Sequence, residues 1–315
     1  MHQFFFIKKF LLSIFFLIAC LNNVLSNEVS ILFKIDNEII TNVDIENEYR
    51  YLTALNENLQ SIEKSEVYEI AKVSIIKEVI KKIELEKYFI LNENSEFITE
   101  TVERFYKSIN ITSEKEFEAY LSQYNLKISD VGKKLEIEAL WNELVFEKYN
   151  KQVMLDKDKL EKALKKKLSN NNNIQKKYFL SELLFNANNT SELIDQYNLI
   201  KKDIIEIGFE NAANRYSQSD SARNGGNIGW IKDSQLSDII REKIVNLKIG
   251  EISEIINILS GSLIIKVNDI KEEKIEIDFE EELKKFITFE RNRQLNQFSI
   301  IYYNRIKQNS NFSEK

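Results

Sequence analysis

The chain of 315 residues contains no proline. Polyproline segments and native cis-prolyl bonds are therefore outside what it can form, and any proline chemistry must concern a partner molecule. One histidine and one cysteine leave almost no raw material for a zinc site, a Cys–His pair or a disulfide scaffold. With 43% hydrophobic and 30% charged residues the chain is of ordinary folded composition, long enough for two moderate domains. The formal net charge of -6 comes with no dominant basic segment to offset phosphate repulsion, so no nucleic acid is expected as a partner. No motif calls for a nucleotide or any other cofactor.

Residues 1 to 26 read as an export signal: Lys8 and Lys9 precede an apolar run from Phe10 to Ala19, and Val24-Leu25-Ser26 offers a cleavage site. The run is short for a permanent membrane span. Leu17-Ile18-Ala19-Cys20 also has the form of a bacterial lipobox, which would make Cys20 a lipidated first residue and the protein an anchored one. Cleavage after Ser26 would leave a chain without cysteine, indifferent to an oxidising compartment such as the periplasm.

Residues 27 to 173 carry mostly helical patterns. A short hairpin is expected around Asp36-Asn37, with Thr41 or Asp44 capping a helix that presents Tyr49, Leu52 and Leu55. From Glu66 to Phe89, Ile70, Val73, Ile76, Val79, Ile80 and Ile83 recur at helical spacing between lysines and glutamates, a pattern whose role is packing. Helices follow at 96 to 107, after the Ser113-Glu114-Lys115-Glu116 capping box, and from about Ser129 with an apolar stripe of Ile137, Leu140, Trp141, Leu144 and Val145. Leu155 to Lys167 reads as a solvated helix leading to a boundary at Ser169 to Asn173.

Strands dominate next. Tyr178 to Phe185 is a predicted strand, followed by helices at 191 to 204 and 206 to 216, a glycine turn from Asn224 to Trp230, a helix from Gln235 to Asn246, and strands at 251 to 257 and 262 to 267. The glycines lack the spacing and lysine of a phosphate loop and are read as a turn. The tail combines an amphipathic helix from Ile275 to about Gln294, carrying Ile277, Phe279, Leu283, Phe286, Ile287 and Phe289, with a strand-like or buried segment through Phe298, Ile300, Ile301, Tyr302 and Tyr303.

Tyr216-Ser217, Gly225-Gly226-Asn227-Ile228-Gly229-Trp230, Leu247 to Ser253 and Gly261 with Ile264 to Val267 stand in an order and spacing that resembles a parvulin-type peptidyl-prolyl isomerase domain over residues 174 to 270. The flanking helical region and the tail, residues 271 to 315, resemble the SurA-type periplasmic chaperones of outer-membrane proteins. That resemblance implies an α+β protein: a mainly helical N-terminal chaperone domain completed by the C-terminal segment, plus a compact parvulin-like domain.

The resemblance also locates a site. The two histidines usual in active parvulins fall on Glu182 and Leu263, the Cys-or-Asp position falls on Ser219, and the proline-ring pocket falls on Ile228, Leu236 and Ile240. The sole histidine, His2, lies in the leader. Prolyl isomerisation breaks no covalent bond, so such a pocket needs only to favour the twisted amide against a barrier of about 18 to 20 kcal/mol. The expected function is a periplasmic chaperone that binds unfolded outer-membrane or exported polypeptides, with weak isomerase activity and a link to outer-membrane assembly machinery. An active prolyl isomerase and a lipid-anchored scaffold are the alternatives.

Overall fold

The computed structural model describes residues 29–56, 59–60, 62–92, 95–169, 174–274 and 278–315. The leader with Cys20, Asn170 to Asn173, and Ile275 and Ile277 of the tail lie outside the described residues.

Strands β1 (Ile31–Ile35) and β2 (Glu38–Thr41) pair as an antiparallel hairpin around Asp36, whose φ of 50° is a turn conformation that aspartate tolerates. Thr41 then starts α1 (Asn42–Leu55). Its hydroxyl accepts from the backbone N–H of Asp44, and the Asp44 carboxylate accepts from the backbone N–H of Thr41, a reciprocal cap that satisfies two otherwise unpaired donors. Four more helices complete this part: α2 (Lys64–Leu85), α3 (Ser95–Ser108), α4 (Glu114–Ser122) and α5 (Ile128–Tyr149). Ile35, Ile70, Phe117, Leu121 and Trp141 lie at the centre of their common core. Helix α6 (Lys157–Ser169) stands largely in solvent, with only Leu164 buried among its described side chains.

A second core lies on each face of an antiparallel sheet. Strand β3 (Ile174–Phe185) pairs along its length with β6 (Gly261–Lys274), from Ile174 opposite Lys274 to Phe185 opposite Ser262. With β4 (Asn227–Lys232) and β5 (Ile256–Ile258) the order is β4-β3-β6-β5. Helices α7 (Thr190–Ile207) and α8 (Phe209–Tyr216), separated by Gly208, cover one face through Ile200, Phe209, Ala212 and Ala213, which meet Leu183, Phe185 and Ile264. The opposite face gathers Leu180, Leu184, Leu263, Ile265 and Val267.

Three expected elements differ. The helix from Gln235 to Asn246 is a 3-10 turn at Asp233–Gln235 and a short α9 (Asp238–Ile244), because Leu236 drops into the sheet core between them. Of the strand expected at 251 to 257 only β5 is regular; Ile252 makes an isolated bridge to Lys266, and Ser253 ties the irregular segment to Ile265. Finally, Phe298 to Tyr303 is not a strand but the middle of α10 (Phe279–Asn309). Helical spacing serves these aromatics better: Phe298 stacks on Tyr149 at 5.0 Å, one turn later Tyr302 stacks on Trp141 at 5.4 Å, and Ser299 accepts from the Trp141 indole at 2.8 Å. Such ring pairs are each worth about 0.5–1.5 kcal/mol beyond burial.

The chain closes on itself. After α10, β7 (Phe312–Glu314) pairs antiparallel with β1, giving a sheet of order β2-β1-β7 in which Ile35 faces Phe312. Tyr302 and Tyr303 are buried in the helical core. The fold class is α+β, with helical N- and C-terminal regions flanking a sheet core.

Candidate functional site

Strand alternation puts Glu182 on the same sheet face as Leu180 and Leu184. Leu236 is buried in that cluster, and Ile228 and Ile240 pack against it half-buried, so the three residues expected to form a proline-ring pocket are brought together. Leu263 is a buried member of the same cluster. It supplies apolar surface where the resemblance places a histidine, and cannot donate or accept a hydrogen bond.

Glu182 is the polar exception on this face. Its Oε1 accepts from the Ser219 hydroxyl and, at 2.9 Å, from the Ser221 hydroxyl. Burial lifts its pKa above the usual carboxylate value, an effect the two serine hydroxyls oppose and the neighbouring Asp220 reinforces, while Lys77 pulls it down. Ser219 is buried and also caps the short 3-10 turn Asp220–Asn224, accepting from the backbone N–H of Ser221 at 3.4 Å. The structure thus places Ser219 in support of its loop and of Glu182.

The loop is laid along β3 as an extra, irregular strand. Gln218 N–H donates to Leu184 O, the Leu184 N–H to the Ser217 hydroxyl, and the Glu182 N–H to Gly226 O. Gly226 has φ 76°, and a Cβ there would meet Glu182 O at 2.0 Å. No other residue fits so close a backbone approach without displacing the strand.

The outer side of the same loop is held by the helical region. Lys77 of α2 donates to Gln218 O at 3.1 Å and Ser219 O at 3.0 Å, and lies 3.6 Å from the Asp220 carboxylate. Lys81, one turn on and 1% exposed, bridges Asp220 at 3.0 Å and Glu138 at 2.7 Å. Arg223 reaches back to Glu138 at 2.8 Å and Glu78 at 3.6 Å; Lys134 then joins Glu78 at 2.8 Å to the wholly buried Glu48 at 2.5 Å. Burial is the largest influence on Lys77 and lowers its pKa to about 8, although Asp220 opposes it. For Asp220 burial acts upward, but the Lys81 and Lys77 ammonium groups together hold the carboxyl well below its usual range.

None of these ion pairs was among the expected site residues. On α2, Lys77, Glu78, Lys81 and Glu84 are all buried. Nothing in the spacing signals this: Ile75, Ile76, Val79, Ile80 and Ile83 share one face of α2 and Ser74, Lys77, Glu78, Lys81 and Lys82 the other, so only partners distant in sequence decide that the charged face is buried.

Beside the seam runs a groove of about 650 Å³ between α2, α7 and the C-terminal segment. Ile76, Ile80, Ile200 and Tyr303 line it, and at its rim Val73, Leu199 and Phe312 remain 44%, 49% and 52% exposed. β7 is the outer strand of its sheet and is exposed at all three residues.

Residues 181–269 match the family model described as Rotamase, PPIC-type PPIASE domain. Beyond that domain, the foldase protein PrsA of Geobacillus kaustophilus (strain HTA426) is 30% identical over 233 residues, 73% of this chain and 74% of the relative. The chain belongs to the PrsA foldase family. Similarity to the chaperone SurA of Ralstonia nicotianae is 36% but spans 70 residues, 22% of this chain and 14% of that one. Pin1 of Arabidopsis thaliana, a peptidyl-prolyl cis-trans isomerase, is 36% identical over 75 residues, 23% of this chain and 63% of that one. The whole-chain resemblance to SurA is accordingly corrected: what spans the helical regions as well as the PpiC-type domain is the likeness to the PrsA foldases.

Proposed function

We propose that this protein holds unfolded exported polypeptides in the groove between α2, α7 and the C-terminal segment, and retains beside it a prolyl site of low turnover. The observation that carries the reading is the groove: an apolar trough of about 650 Å³ with Val73, Leu199 and Phe312 left open at its rim. An extended client can lay alternate apolar side chains into the trough and pair its backbone with the free edge of β7. Neither contact requires the client to fold.

The low turnover follows from the polar inventory at the prolyl site. Glu182 offers one carboxyl whose Oε1 is already engaged, and Leu263 offers none. The apolar ring surface of Ile228, Leu236 and Ile240 favours binding of a proline side chain more than it stabilises a twisted amide. The leader motivates the compartment: export with cleavage after Ser26 gives a periplasmic protein whose clients include outer-membrane proteins, and acylation at Cys20 gives the anchored form. The mass of the mature N terminus separates the two.

The decisive experiment measures suppression of aggregation of an unfolded β-barrel protein and catalysis of a proline peptide with the same purified chain. Leu199→Glu and Val73→Glu should lower client protection about tenfold, as expected for charging a rim that binds apolar side chains, while leaving the thermal midpoint within a few degrees. Full protection by the folded double variant would sink the groove as the holding surface. Turnover equal to that of a parvulin with both histidines would sink the low-turnover reading.

A further inference from the structure

The prolyl site and the helical region meet at one side chain. Lys77 reaches out of α2 and ends between two separate parts of the chain: the loop, at the backbone carbonyls of Gln218 and Ser219 and the Asp220 carboxylate, and the ring of Tyr303 from α10 at 5.9 Å. Its two carbonyl acceptors belong to the residues on either side of one peptide step, and that step carries the Ser219 side chain. Ser219 and its neighbour Ser221 then hold Glu182 on the pocket face of the sheet. We propose that Lys77 is a positioning residue for the prolyl site, fixing the 217–221 loop from outside so that Ser219 and Ser221 set the orientation of Glu182 beside Ile228 and Leu236.

The alternative supports of the loop show why one lysine can matter. Its inner edge hangs from β3 through the Gln218 N–H and the Ser217 hydroxyl, both upstream of Ser219, and through Gly226 O downstream. Between those anchors, Ser219 O is gripped by Lys77 at 3.0 Å and also receives the Ala222 N–H at 3.1 Å within the loop's own turn. Lys77 is therefore the contact that ties the backbone of the turn to the helical region at the position of Ser219. Lys81 holds the loop differently, by the Asp220 carboxylate and not by a backbone atom. The charged groups facing Lys77 are Asp220 and Arg223 from the loop, Lys81 from its own helix and Glu138 from α5. The loop is also the floor of the client groove, since Ser217 and Gln218 line it together with Lys77.

This inference rests on the prolyl site proposed above, and its test is built to separate the two. The full chain, Lys77→Met and Lys77→Arg are compared for cis-to-trans exchange of a proline peptide at saturating and limiting concentration, with thermal unfolding as the check on folding. Lys77→Met should lower kcat about tenfold, because loss of a distal positioning contact lets the reacting geometry drift, with KM within about twofold since the apolar pocket is untouched. Lys77→Arg, which keeps charge and donors, should recover most of the lost kcat. Amide resonances of Glu182, Ser219 and Ile228 in the peptide-free protein supply a second reading and should move in Lys77→Met. If Lys77→Met fails to fold, Lys77→Gln with the same resonances and kcat takes its place. A folded variant with wild-type kcat and unmoved resonances overturns the positioning role while leaving the prolyl site standing. A wild-type chain that neither turns over the peptide nor shifts at Ile228 and Leu236 overturns both.

Discussion

The prolyl face of the sheet and the seam beside it spend polar groups in opposite ways. On the prolyl face an apolar pocket surrounds one carboxyl, Glu182, with Leu263 where the parvulin pattern has a second polar residue. A few ångströms outward, the same loop is tied down by ion pairs running from Asp220 through Lys81, Glu138, Arg223, Glu78 and Lys134 to the buried Glu48. Polar groups are sparse on the one and dense at the other. The contrast teaches that this PrsA-family chain places its charged pairs where the loop meets the helical region and leaves the sheet face apolar around one carboxyl.

The most severe way to break the comparison is to remove the closing segment. Deletion of residues 279–315 strips α10 and β7, exposes Trp141, Tyr149 and the inner face of α2, and should unfold the helical region while leaving the sheet its own two faces. Circular dichroism would register a loss of helix well beyond the deleted residues. Next in size, Lys81→Met removes a wholly buried ammonium between two carboxylates and should cost about 3 kcal/mol in urea unfolding, the scale for breaking a buried pair from one side. A cost near zero would mean that the seam is ornamental.

A third prediction uses pH. Lys77 has a folded pKa of about 8 against an ordinary value of 10.5, so between those limits the unfolded chain holds a proton that the folded chain has released. Stability from this group therefore rises with pH through that window and is lost as pH falls toward 8, by at most about 3 kcal/mol from the size of the shift. Buried Tyr51, pushed up to about 12 by its burial, acts in the opposite direction above pH 10. The difference between wild type and Lys77→Met isolates the lysine: it should grow in favour of the wild type from pH 8 to 10. The smallest effect belongs to the pocket. Ile240→Ala, at a half-buried site, should cost about 1 kcal/mol and weaken proline-peptide binding, yet leave client holding near its original level.

Much of this was legible in the sequence because it depends on local chemistry. Thr41 with Asp44, Ser113 at the start of α4 and Asp36 in its turn each act within a few residues, and each lies where its chemistry predicts. Ile228, Leu236 and Ile240 were found through a family pattern, and the fold brings them to one cluster. What escaped depends on distant partners. Lys81 looks like any solvated lysine until Asp220 and Glu138 arrive from 139 and 57 residues away. Phe298 to Tyr303 has the composition of a strand, and only Trp141 and Tyr149 across the interface decide that a helix presents those rings better.

The pairing of β1 with β7 has a consequence for how the protein is made. Phe312 follows Ile35 by 277 residues, so during synthesis the outer edge of β1 is covered only after that length of chain has been made. The sheet unit between them can close from its own strands in the meantime. The edge of β1 therefore stays open to other pairing until β7 is available, while the sheet unit carries no such wait.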